Sequence, residues 1–170
     1  VRSASVDETP VPGETPETLA LRLSRAKAAS VDAGGLCVLA ADTVVAMGDV
    51  LLGKPSGEEE ARNMWRRLSG ATHRVVTGVT LRMPDGREES FSESTDVTFR
   101  VLSAGDLDAH EAVGDWRDKA GGYAIQGGAA AWVERICGSY TNVVGLPLCQ
   151  VVQVLCRLHP HWPALPWKKI

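Results

Sequence analysis

One apolar run, residues 36–47 (LCVLAADTVVAM), constrains the fold more than any other stretch of the sequence. It follows two glycines, is rich in valine and is short for a helix, which favours a strand covered on both faces. Asp42 interrupts this run, and burying an ionised carboxylate without a partner costs several kcal/mol. We therefore expect Asp42 to have a paired neighbour or a function, unless it only caps a turn at the end of the strand.

Helical periodicity occurs on both sides of this strand. In TPETLALRLSRAKAASV, Thr15 suits the N-cap and Pro16 suits the first helical position. After a loop that carries Lys54, the sequence predicts a second helix that begins with a capping box formed by Ser56 and Glu59. Apolar residues at positions 61, 64, 65 and 68 give this helix a buried stripe.

The second half of the chain changes to a period of two. Residues 72–101 predict an antiparallel hairpin with its turn at 84–86, and Ser103 with Asp106 predicts the cap of a short helix. A glycine-dense loop, a further strand and an apolar closing helix follow. These elements predict an α/β fold, a single-domain layered fold with a mixed, twisted sheet flanked by helices.

Composition excludes several classes of protein. The 170 residues carry a formal net charge of -3 with both signs interspersed, so no basic face for nucleic acid is expected. No apolar run is long enough to span a membrane and no leader opens the chain, which indicates a cytoplasmic protein. The cysteines lie in apolar segments without metal-ligand spacing, so we expect reduced core residues at 37, 137, 149 and 156.

A few polar residues stand where core patterning would not place them. They are Asp42, Thr43, Lys54, Asp118, Lys119 and Gln126. A carboxylate that accepts a proton from water, lysines that neutralise phosphate oxygens and an amide together suit hydrolysis of a phosphate ester or anhydride. Acid and lysine are common surface residues, however, and each could instead be a solvated charge or a turn residue. His73 has no second histidine at metal spacing, which favours a structural role.

Five motifs, in this order, resemble the Maf (septum-formation inhibitor) family of nucleotide pyrophosphatases. They are AADTVV, LGKP, RRLSGATHRVVTGV, DKAGGYAIQG and GSYTNVVGLPL, and the upstream VDETPVPGETPETLALRLSRAKA also matches. The resemblance extends from Val6 to about Leu158. It implies a mixed α/β fold of the Maf and ITPase type over residues 1–158, followed by a tail over 159–170. It also implies cleavage of nucleoside triphosphates between the α- and β-phosphates with a divalent metal, Mg or Mn.

The resemblance also assigns roles to individual residues. Asp42 matches the proton acceptor, and Glu8 matches an acidic residue that helps Asp42 to hold the metal. Lys27 and Lys54 match lysines that face phosphates. Thr43 and Gln126 match positions associated with substrate choice, and the combination of ADT with IQG resembles the branch of the family that acts on dTTP and UTP. A homodimer is the candidate assembly.

One departure from the family pattern keeps a second hypothesis open. Family members begin with a strand and an S-x-S-P-R-R loop whose arginines contact the triphosphate, and the chain as given has no counterpart of that loop. The sequence is then either an incomplete fragment or a degenerate member. The alternative to an enzyme is therefore a catalytically degenerate, nucleotide-binding or regulatory protein. A third alternative, an ordinary α/β binding domain, requires the ordered motifs to be a coincidence.

Overall fold

The computed structural model describes residues 5–159 of the chain. Its five strands form one sheet in the order β2-β1-β3-β4-β5. They are β1 (Val38–Met47), β2 (Val50–Leu52), β3 (Thr72–Arg82), β4 (Glu88–Phe99) and β5 (Val133–Cys137). Helices flank this sheet, which confirms the α/β class. All pairings between these five strands are antiparallel, whereas we expected a mixed sheet. Hairpins account for two of the pairings, β1 with β2 and β3 with β4.

Five α-helices accompany the sheet in the described part of the chain. They are α1 (Pro16–Ala29), α2 (Glu58–Leu68), α3 (Ala104–Val113), α4 (Tyr140–Val144) and α5 (Leu148–Leu158). Strand β2 and helix α4 were not predicted, since three and five residues are too few to show a period. Between α3 and β5 the glycine-dense segment forms two 3₁₀ turns, residues 120–122 and 128–132. Except for His159, the expected tail lies outside the described residues.

The helix starts follow the sequence with one exception. The Thr15 hydroxyl accepts a hydrogen bond from the Thr18 N–H at the start of α1, and the predicted capping box of α3 is present. The predicted box at α2 is wrong. This helix begins at Glu58 after an extended Gly57, so the backbone N–H and the hydroxyl of Ser56 donate to Glu60 instead of Glu59.

The two faces of the sheet are covered differently. On one face, α1 lies directly against β3 at Gly78, where a Cβ atom would stand 2.2 Å from the carbonyl oxygen of Ala20. Only glycine allows this approach, and Gly78 is the register partner of Asp42 in β1. The close approach therefore brings the last turn of α1, which carries Lys27, near Asp42. We call this side of the sheet the α1 face.

The other side, here the aromatic face, carries the main core. The side chain of Trp65 in α2 is fully buried and makes edge contacts with the rings of His110, Trp116 and Trp132. His73 is buried there as well, and its Nε2 lies 2.7 Å from the hydroxyl of Tyr123. The structural role expected for His73 is thus confirmed.

Two expectations from composition have different outcomes. No helix within residues 5–159 has the length and apolarity needed to cross a membrane. The cysteines are free, but only Cys37 is half-buried, while Cys137, Cys149 and Cys156 are exposed. The prediction that all four are core residues is wrong, because the apolar segments that hold them each present one side to solvent.

Candidate active site

A cleft lies at the edge of β1. Strand β2 pairs with β1 only from Val45 to Met47, so no strand among the described residues covers the edge at 38–44. Successive side chains of a strand point to opposite faces, so Asp42 faces α1 and Thr43 faces the aromatic side. Both line the cleft, which consists of two cavities of about 230 and 260 Å³ that share these residues.

Four charged side chains from four segments of the chain meet in the cleft. Lys27 donates hydrogen bonds to Oδ1 of Asp42 and to Oε1 of Glu8, the latter over 2.8 Å. Lys54, in the loop before α2, donates to Oε2 of Glu8 over 3.1 Å. The structure therefore brings together Glu8, Lys27, Asp42 and Lys54, and their roles in metal and phosphate binding stay predictions.

The environment of this cluster shifts its proton affinities. Asp42 is only 8% exposed, and burial raises the pKa of its carboxyl despite the hydrogen bond from Lys27. Burial opposes the charge of Lys27, yet its bonds to Asp42 and Glu8 raise the pKa of this ammonium group. The hydrogen bond from Lys27 lowers the pKa of Glu8. Asp42 is therefore the better proton acceptor of the two carboxylates.

The remaining candidates fall into two groups. Asp118 and Lys119 are exposed and line the larger cavity together with Thr43. Asp118 has a positive φ of 60°, which turns the chain at this loop. Gln126 is exposed and lies outside the lining of both cavities. Its role in substrate choice stays a prediction.

Comparison with known proteins decides the family. Residues 1–158 match the family model described as Maf-like protein. The chain belongs to the Maf family. Three relatives are called dTTP/UTP pyrophosphatase. That of Chelativorans sp. (strain BNC1) is 45% identical and covers 95% of this chain and 83% of its own length. Those of Hyphomonas neptunium (47%; 91% and 81%) and Brucella abortus strain 2308 (48%; 91% and 78%) are similarly close.

The two carboxylates of this Maf chain fit one kind of metal site. Residues 5–159 hold no group of three or more His, Cys, Asp or Glu side chains that could bind a metal ion. Mg²⁺, however, is commonly bound through one or two carboxylates together with substrate phosphates and water. Glu8 and Asp42 both contact the ammonium group of Lys27, so a cation that arrives with phosphates would find two carboxylates there.

Helix α4 also contributes to the cleft, and the sequence did not predict this helix. Val143 and Val144 line the larger cavity beside Thr43 and Tyr123. Asn142, the preceding residue, is completely buried. The signals in the sequence were the GSYTNVVGLPL motif and Ser139, whose hydroxyl accepts from the Asn142 N–H as the N-cap of α4. A helix of five residues shows too little periodicity to be found without the structure.

Proposed function

We propose that this Maf protein hydrolyses dTTP and UTP to the nucleoside monophosphate and pyrophosphate. The names of the relatives support the substrate class. The observation that carries the chemistry is the buried Asp42 carboxylate, which is paired with Lys27 at the edge of an open cleft. Burial raises the pKa of this carboxyl, which makes it a stronger proton acceptor than a solvated aspartate.

The reaction requires a water molecule to attack the α-phosphorus. Because Lys27 contacts Oδ1 of Asp42, Oδ2 is the atom that accepts the proton from this water. A bond forms between the water oxygen and the α-phosphorus, the bond from this phosphorus to the α,β-bridging oxygen breaks, and pyrophosphate leaves. Lys27 and Lys54 supply positive charge to phosphate oxygens, where negative charge develops. Glu8 and Asp42 would hold a divalent cation, Mg or Mn, which polarises phosphate oxygens when bound.

Substitution of Asp42 by asparagine tests this proposal. Asp42→Asn keeps the shape of the side chain but removes the proton acceptor, so we expect kcat for dTTP and UTP to fall by about 10²–10⁴-fold. Release of monophosphate and pyrophosphate with Mg or Mn is the measurement, and Asp49→Asn is the matched control because Asp49 lies outside both cavities. If the wild-type protein binds nucleotide without releasing pyrophosphate, it is the catalytically degenerate binding protein instead.

The cytoplasmic location, the homodimer and the absence of nucleic-acid binding stay predictions from the sequence.

A further inference from the structure

A chain of hydrogen bonds runs from the cleft into the aromatic face. The hydroxyl oxygens of Thr43 and Thr77 are 2.9 Å apart. The Thr77 oxygen is 3.0 Å from the main-chain carbonyl oxygen of Asn142. The side-chain amide of Asn142 donates to the carbonyl of Val75 and to the hydroxyl of Thr95. This chain therefore ties Thr43, at the cleft, to a fixed point between β3, β4 and α4.

The chain determines which way the hydroxyl protons point. A carbonyl oxygen has no proton, so its 3.0 Å contact with the Thr77 oxygen is a hydrogen bond only if Thr77 donates. A threonine hydroxyl has one proton, so Thr77 has none left for Thr43. The 2.9 Å contact between the two hydroxyls then requires Thr43 to donate. The oxygen of Thr43 consequently has only lone pairs left for the cleft.

The surroundings of Thr43 suit a nucleoside better than a phosphate. The ion-paired side chains of Lys27 and Asp42 lie towards the α1 face, whereas Val143 and Val144 of α4 line the same cavity as Thr43, together with Asp118 and Lys119. The ion-paired cluster and the two valines match the charged end and the apolar end of a nucleotide. Thr43 is thus placed to contact the neutral end.

We propose that Thr77 and Asn142 are positioning residues that make Thr43 a pure hydrogen-bond acceptor for a donor group on the nucleoside, the imide N3–H of uracil or thymine. This inference rests on the proposed function and names what distinguishes its substrate. Cytosine has a lone pair at N3 in place of the N–H, so it would meet the lone pairs of Thr43. The sugar 3′-hydroxyl is the other donor with the same chemistry, and the experiment separates the two.

The experiment measures equilibrium affinity for non-hydrolysable α,β-methylene analogues of UTP and CTP. Thr43→Val removes the acceptor and should weaken UTP binding by about tenfold, as expected for one hydrogen bond. Thr77→Val frees the Thr43 hydroxyl to donate into the cleft, so the preference for UTP over CTP should fall by about tenfold. Thr77→Ser keeps the hydroxyl and should restore the preference. In Thr77→Val the main-chain carbonyl of Asn142 still has a hydrogen-bond donor, because the Gly145 N–H donates to it over 2.9 Å.

Thr80→Val is the matched control. Thr80 is another fully buried threonine of β3, and its hydroxyl is hydrogen-bonded to Ser24 and Ser90 on the α1 face, outside both cavities. The Thr80→Val variant should be less stable than the wild-type protein, with no change in the ratio of UTP to CTP affinity. If Thr77→Val weakens the binding of both analogues equally, Thr77 has only a structural role and the proposal is overturned.

Modified forms of the α,β-methylene UTP analogue identify the group that donates to Thr43. An N3-methyl analogue should bind wild-type protein about tenfold more weakly than the parent, and Thr43→Val should not distinguish the two. If the 3′-deoxy analogue shows this behaviour instead, the imide assignment is wrong. Discrimination without turnover would refute the pyrophosphatase activity but not the role of Thr77. Turnover of UTP together with an unchanged ratio of UTP to CTP affinity in Thr77→Val would support the pyrophosphatase activity and refute the role of Thr77. A wild-type protein that binds neither analogue would refute both proposals.

Discussion

The two faces of the sheet can be compared through one buried ionisable side chain on each, Asp42 and His73. On the α1 face, Asp42 lies beside the ammonium group of Lys27 and borders an open cleft. On the aromatic face, His73 has the neutral hydroxyl of Tyr123 as its partner and the ring of Phe99 against it. Burial lowers the pKa of His73 to about 4, so the ring is neutral at pH 7. Burial alone therefore does not indicate function. A charged partner together with access to a cavity does.

The largest effect should come from the aromatic face and should be one of stability. Trp65→Ala removes a fully buried indole that also donates to the carbonyl of Gly122 over 2.7 Å. We expect the free energy of unfolding to fall by about 3–5 kcal/mol. Urea denaturation measures this change, and Val101→Ala is the control because Val101 is 77% exposed. Equal losses in the two variants would contradict the assignment of the main core to this face.

The next effect separates the two faces by pH. The unfolded chain protonates His73 near its ordinary pKa of 6.5, whereas the folded protein does so only near 4. Because the unfolded state binds this proton first, the free energy of unfolding should fall by about 3 kcal/mol as pH drops from 6.5 to 4. Urea denaturation across this range should show a smaller loss for His73→Gln. His110, whose pKa burial also lowers, would keep part of the slope in the variant. Identical slopes would place His73 outside the buried core.

The smallest effect concerns the α1 face and appears in activity. Lys27→Met leaves Asp42 buried without its positive neighbour, so the pKa of this carboxyl should rise further and activity should be lost at a higher pH on acidification. At pH 7 we expect kcat/KM to be about tenfold lower than in Lys54→Met. Lys54 is the matched control because its side chain is 54% exposed and, among residues 5–159, forms its ion pair with Glu8 rather than with Asp42. Equal pH profiles for the two variants would show that Lys27 does not control Asp42.

The local patterns of the sequence predicted much of the secondary structure. The cap at Thr15, the apolar stripe of α2 and the alternation in β3 and β4 all reflect interactions within a few residues, so they can be seen in a single stretch. The start of α2 was misplaced because Ser56 has two glutamates within reach, and the sequence does not decide between them. Short elements such as α4 had no usable period.

The sequence by itself determined which residues are candidates for chemistry, and the tertiary structure decided which of them meet. The motifs marked Asp42, Lys54 and Gln126 alike, yet only the first two line the cleft. The contact between Lys54 and Glu8 spans 46 positions. The contact between Lys27 of α1 and Asp42 of β1 follows from the close packing of α1 against the sheet at Gly78. The direction of the Thr43 hydroxyl likewise depends on distant residues, since Thr77 lies 34 positions after Thr43 and Asn142 lies 65 positions after Thr77. Periodicity and capping are local, so they can be read from one stretch of sequence. The convergence of side chains follows from the packing of distant elements, so it cannot be read from any single stretch.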